Sequence, residues 1–225
     1  MENGLSSALI LEDDMDWDVR LKTQLMDFAR GSRYLLNMTE STKTHSPYGD
    51  GWDVLWVGLC LDGLAKDDPR LYIIHDDPSV PNFANLQASR EPHLTEFGEH
   101  SRLVHMAGAP ICSFAYAVSH KGAQKLLYGL SVKELRGIFD NALSWWCTDH
   151  SQDARCIVAQ PTYFFHHRPA GKANKASDIQ DYGDETHEKG HTQNIRWSVK
   201  VNVEKLILNQ SDFEDSYPDD QVMQE

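Results

Sequence analysis

The chain has 225 residues, with 21 Lys or Arg against 34 Asp or Glu and a formal net charge of −13. That balance argues against a binder of nucleic-acid backbone, which needs clustered cations to neutralise phosphates, and against a polybasic membrane-surface patch. Apolar residues make up 40% of the chain, enough for a packed core, and no stretch reaches the roughly 20 apolar residues of a membrane span. The opening MENGLSSALILEDD has no basic region ahead of its short apolar run, so it does not read as a signal peptide.

In chain order, Ser7 to Leu11 is a continuous apolar run that stops at Glu12-Asp13-Asp14, the pattern of a buried parallel strand. Val19, Leu21, Leu25, Met26 and Phe28 then recur at helical spacing through Arg30, with Asp16 or Asp18 as the N-cap. Trp52 to Gly58 reads as a second strand after the turn-rich Ser46 to Gly51. Residues 61–101, rich in Pro, Asp and Asn, read as a long irregular excursion. Arg102–Met106 and Cys112–Val118 read as strands. A helix follows over His120–Tyr128, capped by Ser119, with Gly122 either permitting a close backbone approach or tightening the turn. A helix over Ile138–Cys147 and a short strand at Cys156–Ala159 complete the alternation, and the fold class is α/β.

The four cysteines, Cys60, Cys112, Cys147 and Cys156, lack the spacing of a zinc site and lie in or beside apolar runs, so they read as buried free thiols. Asn37-Met-Thr39 and Asn209-Gln-Ser211 are sequons that matter only in a secreted chain. Residues 1–180 carry the ordered pattern. Residues 181–225 read as a polar, acidic tail, partly disordered, and the last fifteen hold six acids and no base. Within it, Ile195 to Leu208 reads as a strand or a short helix.

Glu12, Asp13 and Asp14 carry the chemistry. In open α/β sheets the ligand crevice lies outside the carboxyl ends of the strands, and three clustered carboxylates repel one another unless a cation or solvent intervenes. Hard oxygen ligands suit Mg²⁺ or Mn²⁺; the alternative is an acidic helix start.

These residues also resemble a known family. Ala8-Leu-Ile-Leu-Glu-Asp-Asp-Met-Asp-Trp-Asp-Val19 is similar to the acidic metal motif of glycosyltransferase family 25, the lipooligosaccharide sugar transferases and relatives of the collagen galactosyltransferases, especially its fungal members. The resemblance continues through Tyr48–Gly58, Cys112–Leu127, Phe139-Asp-Asn141 and Ser177-Asp178-Ile179, in the family's order. It implies a GT-A fold, a Rossmann-like mixed sheet, and inverting transfer of a hexose, galactose or glucose, from a UDP-sugar to a glycan or protein hydroxyl. It also implies Mn²⁺ (or Mg²⁺) as cofactor and a secretory or Golgi setting.

On that resemblance Glu12, Asp13 and Asp14 take the place of the DxD-type motif, bridging the cation to the donor's two phosphates. Asp140 is the candidate base or acceptor-positioning group, the alternative being a helix cap. His166 and His167, after the strand-like Pro161–Phe165, are candidates to complete the metal shell, against a plain surface pair. Arg168 and Lys172 are candidates to meet the diphosphate, against a solvated basic turn. Trp145 and Trp146 suit either a sugar face or, more commonly, division between core and surface.

Only eleven residues precede Glu12, fewer than a nucleotide pocket of βαβ units requires. The expectation is an incomplete GT-A domain with its first strand in mid-sheet, exposed apolar surface and little transfer by these residues alone. Two other classes fit the same residues: a catalytically inactive remnant acting as a binding module, and a metal-dependent phosphoesterase.

Overall fold

The computed structural model describes residues 4–86, 92–134, 136–149, 152–172 and 186–220. Its centre is a six-stranded mixed sheet of β1 (Ser7–Leu11), β3 (Val54–Gly58), β4 (Leu71–Ile74), β5 (Arg102–Met106), β6 (Ala115–Ser119) and β7 (Cys156–Gln160), in the order β1-β6-β3-β7-β5-β4. The two strands with every residue buried, β3 and β7, lie side by side and parallel at the middle. Their β-branched, small and aromatic side chains are what a sheet covered on both faces requires.

Alternation along β3 divides the core. Leu55 and Val57 face α1 (Leu21–Leu35), which contributes Phe28 and Leu35. Val54 and Trp56 face α3 (Phe139–Thr148), which contributes Leu143, Trp146 and Cys147. Between them in sequence, α2 (His120–Leu127) starts at Ser119, whose Oγ accepts from the Gly122 N–H. Gly122 lies directly against β3: a Cβ there would stand 2.2 Å from the Asp53 carbonyl oxygen. Close backbone approach is therefore what this glycine supplies. A π-helical turn over Tyr128–Lys133 carries the chain from α2 towards α3.

Several sequence expectations change. Among the described residues β1 is an antiparallel strand at the sheet edge, paired only with β6, and Leu9, Ile10 and Leu11 are exposed. Its apolar run imitates a buried strand because periodicity records which side chains are apolar and not which neighbours cover them. The 61–101 excursion contains β4 and a 3-10 turn at Pro92–Phe97. Neither Asp16 nor Asp18 caps α1, since the N-cap position is Arg20. The cysteines form two disulfides, Cys60–Cys112 and Cys147–Cys156. The first joins residues 52 apart in sequence, brought together beyond the β3–β6 pair by the antiparallel bridge of Leu61 and Ile111.

The acidic stretch also differs from a free tail. A second sheet forms from β2 (Met15–Trp17), β8 (Phe164–Arg168) and β11 (His191–Thr192), in the order β11-β8-β2, and β9 (Gly171–Lys172) pairs with β10 (Thr186–His187). After the short α4 (Val203–Ile207), Tyr217 is buried, and Arg196 holds Asp215 at 2.6 Å and Asp219 at 3.1 Å. Burial pushes the Tyr217 hydroxyl up to about 12. One guanidinium thus converts repelling carboxylates into partners. Among the described residues, no helix is long and apolar enough to cross a membrane.

Candidate metal centre

β1 and β3 are both antiparallel to β6, so they run in the same direction as each other and as β7. Glu12 therefore leaves the sheet at the carboxyl ends of the parallel set, where ligand crevices of open α/β sheets form. The Glu12 N–H donates to the Phe114 carbonyl at 2.9 Å, and the chain turns through Asp13 and Asp14 into β2. β2 pairs with β8, with Met15 opposite His166. This return carries the imidazole back to the acidic turn across 152 residues of sequence.

The result is a cluster of Glu12, Asp14 and His166, whose candidate ligand atoms all lie within 4.8 Å of one another. His166 Nδ1 lies 2.8 Å from Asp14 Oδ2, and its Nε2 faces Glu12 Oε2 at 3.9 Å. A proton on Nδ1 held by Asp14 leaves the Nε2 lone pair facing the second carboxylate. The buried Phe114 ring stands across the imidazole at 3.9 Å, fixing its plane. Arg168 reaches the edge of the cluster, with Nη1 3.8 Å from Asp14 Oδ2. Two carboxylates and an imidazole are a donor set suited to Mn²⁺ and tolerable for Mg²⁺.

The other sequence candidates fall elsewhere. Asp13 is exposed on the turn and is not one of the grouped ligand residues. His167 points away from the cluster: its Nδ1 lies 2.9 Å from Thr192 Oγ1, which in turn donates to Asp16. Successive strand residues face opposite sides, so two adjacent histidines on β8 cannot share one cation. Lys172 is exposed on β9, opposite Thr186. Asp140 sits half-buried in the first turn of α3 without capping it: its Oδ1 accepts from the neighbouring Asn141 N–H, and the N-cap position is Ile138. Beside it, Phe139 packs on Tyr116, the cross-strand partner of Ile10. That contact brings the start of α3 towards the end of the sheet from which Glu12 emerges. Ser177-Asp178-Ile179 lies outside the described residues.

Two carboxylates of the same motif have a role that the sequence reading missed. Asp16, fully buried, accepts from the backbone N–H groups of Trp17 and Lys200 and from the hydroxyls of Thr192 and Ser198. Burial alone would push its pKa up, but the bonds from His167, Ser198, Thr192 and Lys200 hold it below the ordinary carboxylate range. Asp18 accepts from Arg20 and from the Trp197 N–H, yet burial keeps its pKa raised. Both fasten residues 192–200 beneath the cluster. The signal was present: Asp14, Asp16 and Asp18 alternate with Met15 and Trp17, which is strand periodicity and not a helix start. Asp16→Ala should destabilise the protein by about 2 kcal/mol, the scale of stranding several buried donors, and should speed exchange of the Lys200 amide ahead of global unfolding. Unchanged protection at Lys200 would count against this anchoring role.

A cavity of about 440 Å³ opens at the other end of the sheet, around Ala154–Cys156 and the end of α1. Arg70 in its wall is already engaged by Asp68 and Asn37. No cluster residue lines this cavity.

Comparison with protein-family models, with curated proteins and with solved structures finds no match to this chain.

Proposed function

We propose that the protein is a metal-dependent glycosyltransferase that moves a hexose from a UDP-sugar to a hydroxyl of a glycan or protein. The observation that carries this reading is the convergence of Glu12, Asp14 and His166 at the carboxyl end of a parallel strand set. Glu12, Asp14 and His166 would hold Mn²⁺, with Arg168 beside them to meet phosphate oxygens. The bound cation would supply Lewis-acid assistance to departure of the nucleoside diphosphate. Asp140, at the same end of the fold, would accept the proton of the acceptor hydroxyl. The sequence resemblance to glycosyltransferase family 25 adds the order of motifs to this placement, and the two disulfides favour an oxidising compartment such as the secretory pathway.

A second reading, a binding module without turnover, rests on the bare edge of β1. Among the described residues, nothing covers its exposed leucines, on the flank where a nucleotide pocket would be expected to pack.

The test is Mn²⁺ binding followed by electron paramagnetic resonance, with and without UDP, and then transfer from a panel of UDP-hexoses. About one Mn²⁺ per chain should bind, more tightly with UDP because the diphosphate completes the oxygen shell. Asp14→Ala should abolish binding. Asp140→Asn should leave binding intact while lowering kcat by about 10²-fold or more. Mn²⁺ binding that survives Asp14→Ala would overturn the metal assignment. Metal binding without transfer from any donor would select the binding module.

A further inference from the structure

The two sequons, Asn37-Met-Thr39 and Asn209-Gln-Ser211, occupy the same kind of place in the fold. Asn37 follows Leu36 at the end of α1, and Asn209 follows Leu208 at the end of α4. Both are left-handed, with φ of 58° and 54°. In both, the next N–H folds back onto the helix: Met38 donates to the Arg33 carbonyl and Gln210 to the Lys205 carbonyl, each at 2.9 Å. Helices commonly end on such a turn, and asparagine tolerates it better than other residues that carry a side chain. That explains the asparagines. It does not explain why a hydroxyl follows two positions later in each case.

Three observations bear on those hydroxyls. Asn37, Thr39, Asn209 and Ser211 are all exposed, whereas the buried Asn85 and Asn202 are followed two residues on by Gln and Glu. The side-chain nitrogens are free to carry a substituent. Asn37 Oδ1 accepts from Arg70 Nη1 at 2.7 Å, while its Nδ2 and the whole Asn209 amide have no hydrogen-bond partner among the described residues. The two disulfides favour an oxidising compartment, the setting in which a sequon has chemical meaning.

We propose that Asn37 and Asn209 each carry an N-linked glycan, transferred from a polyprenyl diphosphate-linked oligosaccharide. In that transfer the bond from the anomeric carbon to the phosphate oxygen breaks and a bond from the same carbon to Nδ2 forms. The amide gives up one proton to a base of the transferase, and the polyprenyl diphosphate leaves with the electron pair. Transfer to a sequon precedes folding, so the helix-end turn does not oppose it, and the finished fold has only to leave the glycan room. A glycan on Asn37 would stand at the rim of the 440 Å³ cavity, away from Glu12, Asp14 and His166. One on Asn209 would adjoin Val203, Ile207 and Leu208, which α4 leaves exposed, and a bulky hydrophilic chain there would shade that apolar surface. The proposal does not rest on the metal centre or on sugar transfer by this chain.

The experiment takes the protein from the cells that make it and treats it with peptide N-glycosidase in heavy-oxygen water. The enzyme converts each glycan-bearing asparagine into a labelled aspartate, which mass spectrometry of the peptides locates. Label at both positions is expected. Unlabelled asparagine at either position overturns the assignment there, and label that appears equally without the enzyme is spontaneous deamidation and counts against it. Thr39→Ala and Ser211→Ala separate attachment from the helix-end role, because both keep asparagine in its left-handed turn and leave the fold intact. In the full chain secreted by a eukaryotic host behind an added signal peptide, each variant should lose one glycan, read as one step in gel mobility that the glycosidase also removes from the parent. Mobility equal to the parent's in both variants would overturn the proposal.

Discussion

Removing the Cys60–Cys112 bridge by paired Cys→Ser substitution should lower stability by about 4 kcal/mol, against about 2.5 kcal/mol for the Cys147–Cys156 bridge, on the chain-entropy scale. The difference follows from loops of 52 and 9 residues, because a longer closed loop removes more freedom from the unfolded chain. Urea denaturation of the two paired variants measures it, and equal losses would show that something other than loop closure governs these bridges. The longer bridge should also have a functional signature. It fixes the segment that leads into Phe114, whose ring stands against His166 and whose carbonyl takes the Glu12 N–H. Cys112 is further held by its own carbonyl, which accepts from Trp56 Nε1 at 2.9 Å. Without the bridge, Mn²⁺ affinity should fall even where the protein remains folded. The shorter bridge, joining the end of α3 to the start of β7, should leave it unchanged.

Arg102→Ala should cost about 3–5 kcal/mol, the loss expected when one member of a buried ion pair is removed. The guanidinium is almost fully enclosed, and each of its three nitrogens donates a hydrogen bond. Its Nε donates to Asp77 at 2.8 Å, Nη1 to the carbonyls of Pro161 and Thr162, and Nη2 to Ser79, while its plane lies 4.2 Å from the centre of the Tyr163 ring. Asp77 and two carbonyls would be left in the interior without their cation. An Arg102→Met/Asp77→Leu double variant should recover much of the loss, because it removes both charges together. A double variant as unstable as Arg102→Ala would show that the hydrogen bonds to residues 161 and 162 matter more than the charges.

The same pair sets a pH dependence. Burial opposes the Asp77 carboxylate, but the Arg102 guanidinium and the bonds from Ser79 outweigh it and hold the carboxyl below the ordinary range. The folded state therefore binds this proton less readily than the unfolded chain does. The stabilisation is complete above about pH 4 and is lost as pH falls from the ordinary carboxylate value to the depressed one. The double variant should flatten that part of the acid limb, as read by melting temperature between about pH 4 and pH 2.

Much of this molecule is legible in its sequence for definite reasons. β3 is apolar throughout because both faces are covered, and its position in the centre follows from that composition. Ser119 announces the start of α2 because a short hydroxyl side chain can take the Gly122 N–H. The break from Leu11 to Glu12 marks a strand end with carboxylates beyond it, and the strand ends there. These are local properties, fixed by side-chain volume, polarity and hydrogen-bonding reach within a few residues.

Only the tertiary structure decided the rest. Whether β1 is central or at an edge depends on which strands cover it, and apolar residues at positions 8–11 look the same in either place. Four cysteines without close spacing read as thiols until β3 and β6 pair and α3 packs on β7. The acidic end of the chain looks solvated until Arg196 stands beside Asp215 and Asp219. Within the motif itself, position along the chain does not say which carboxylates share a site. Alternation on β2 buries Asp16 as an anchor, the turn leaves Asp13 in solvent, and the return of β8 brings His166, and not His167, to Glu12 and Asp14. The chemistry of a carboxylate is local, but the identity of its partners is set by long-range strand pairing, which sequence periodicity does not encode.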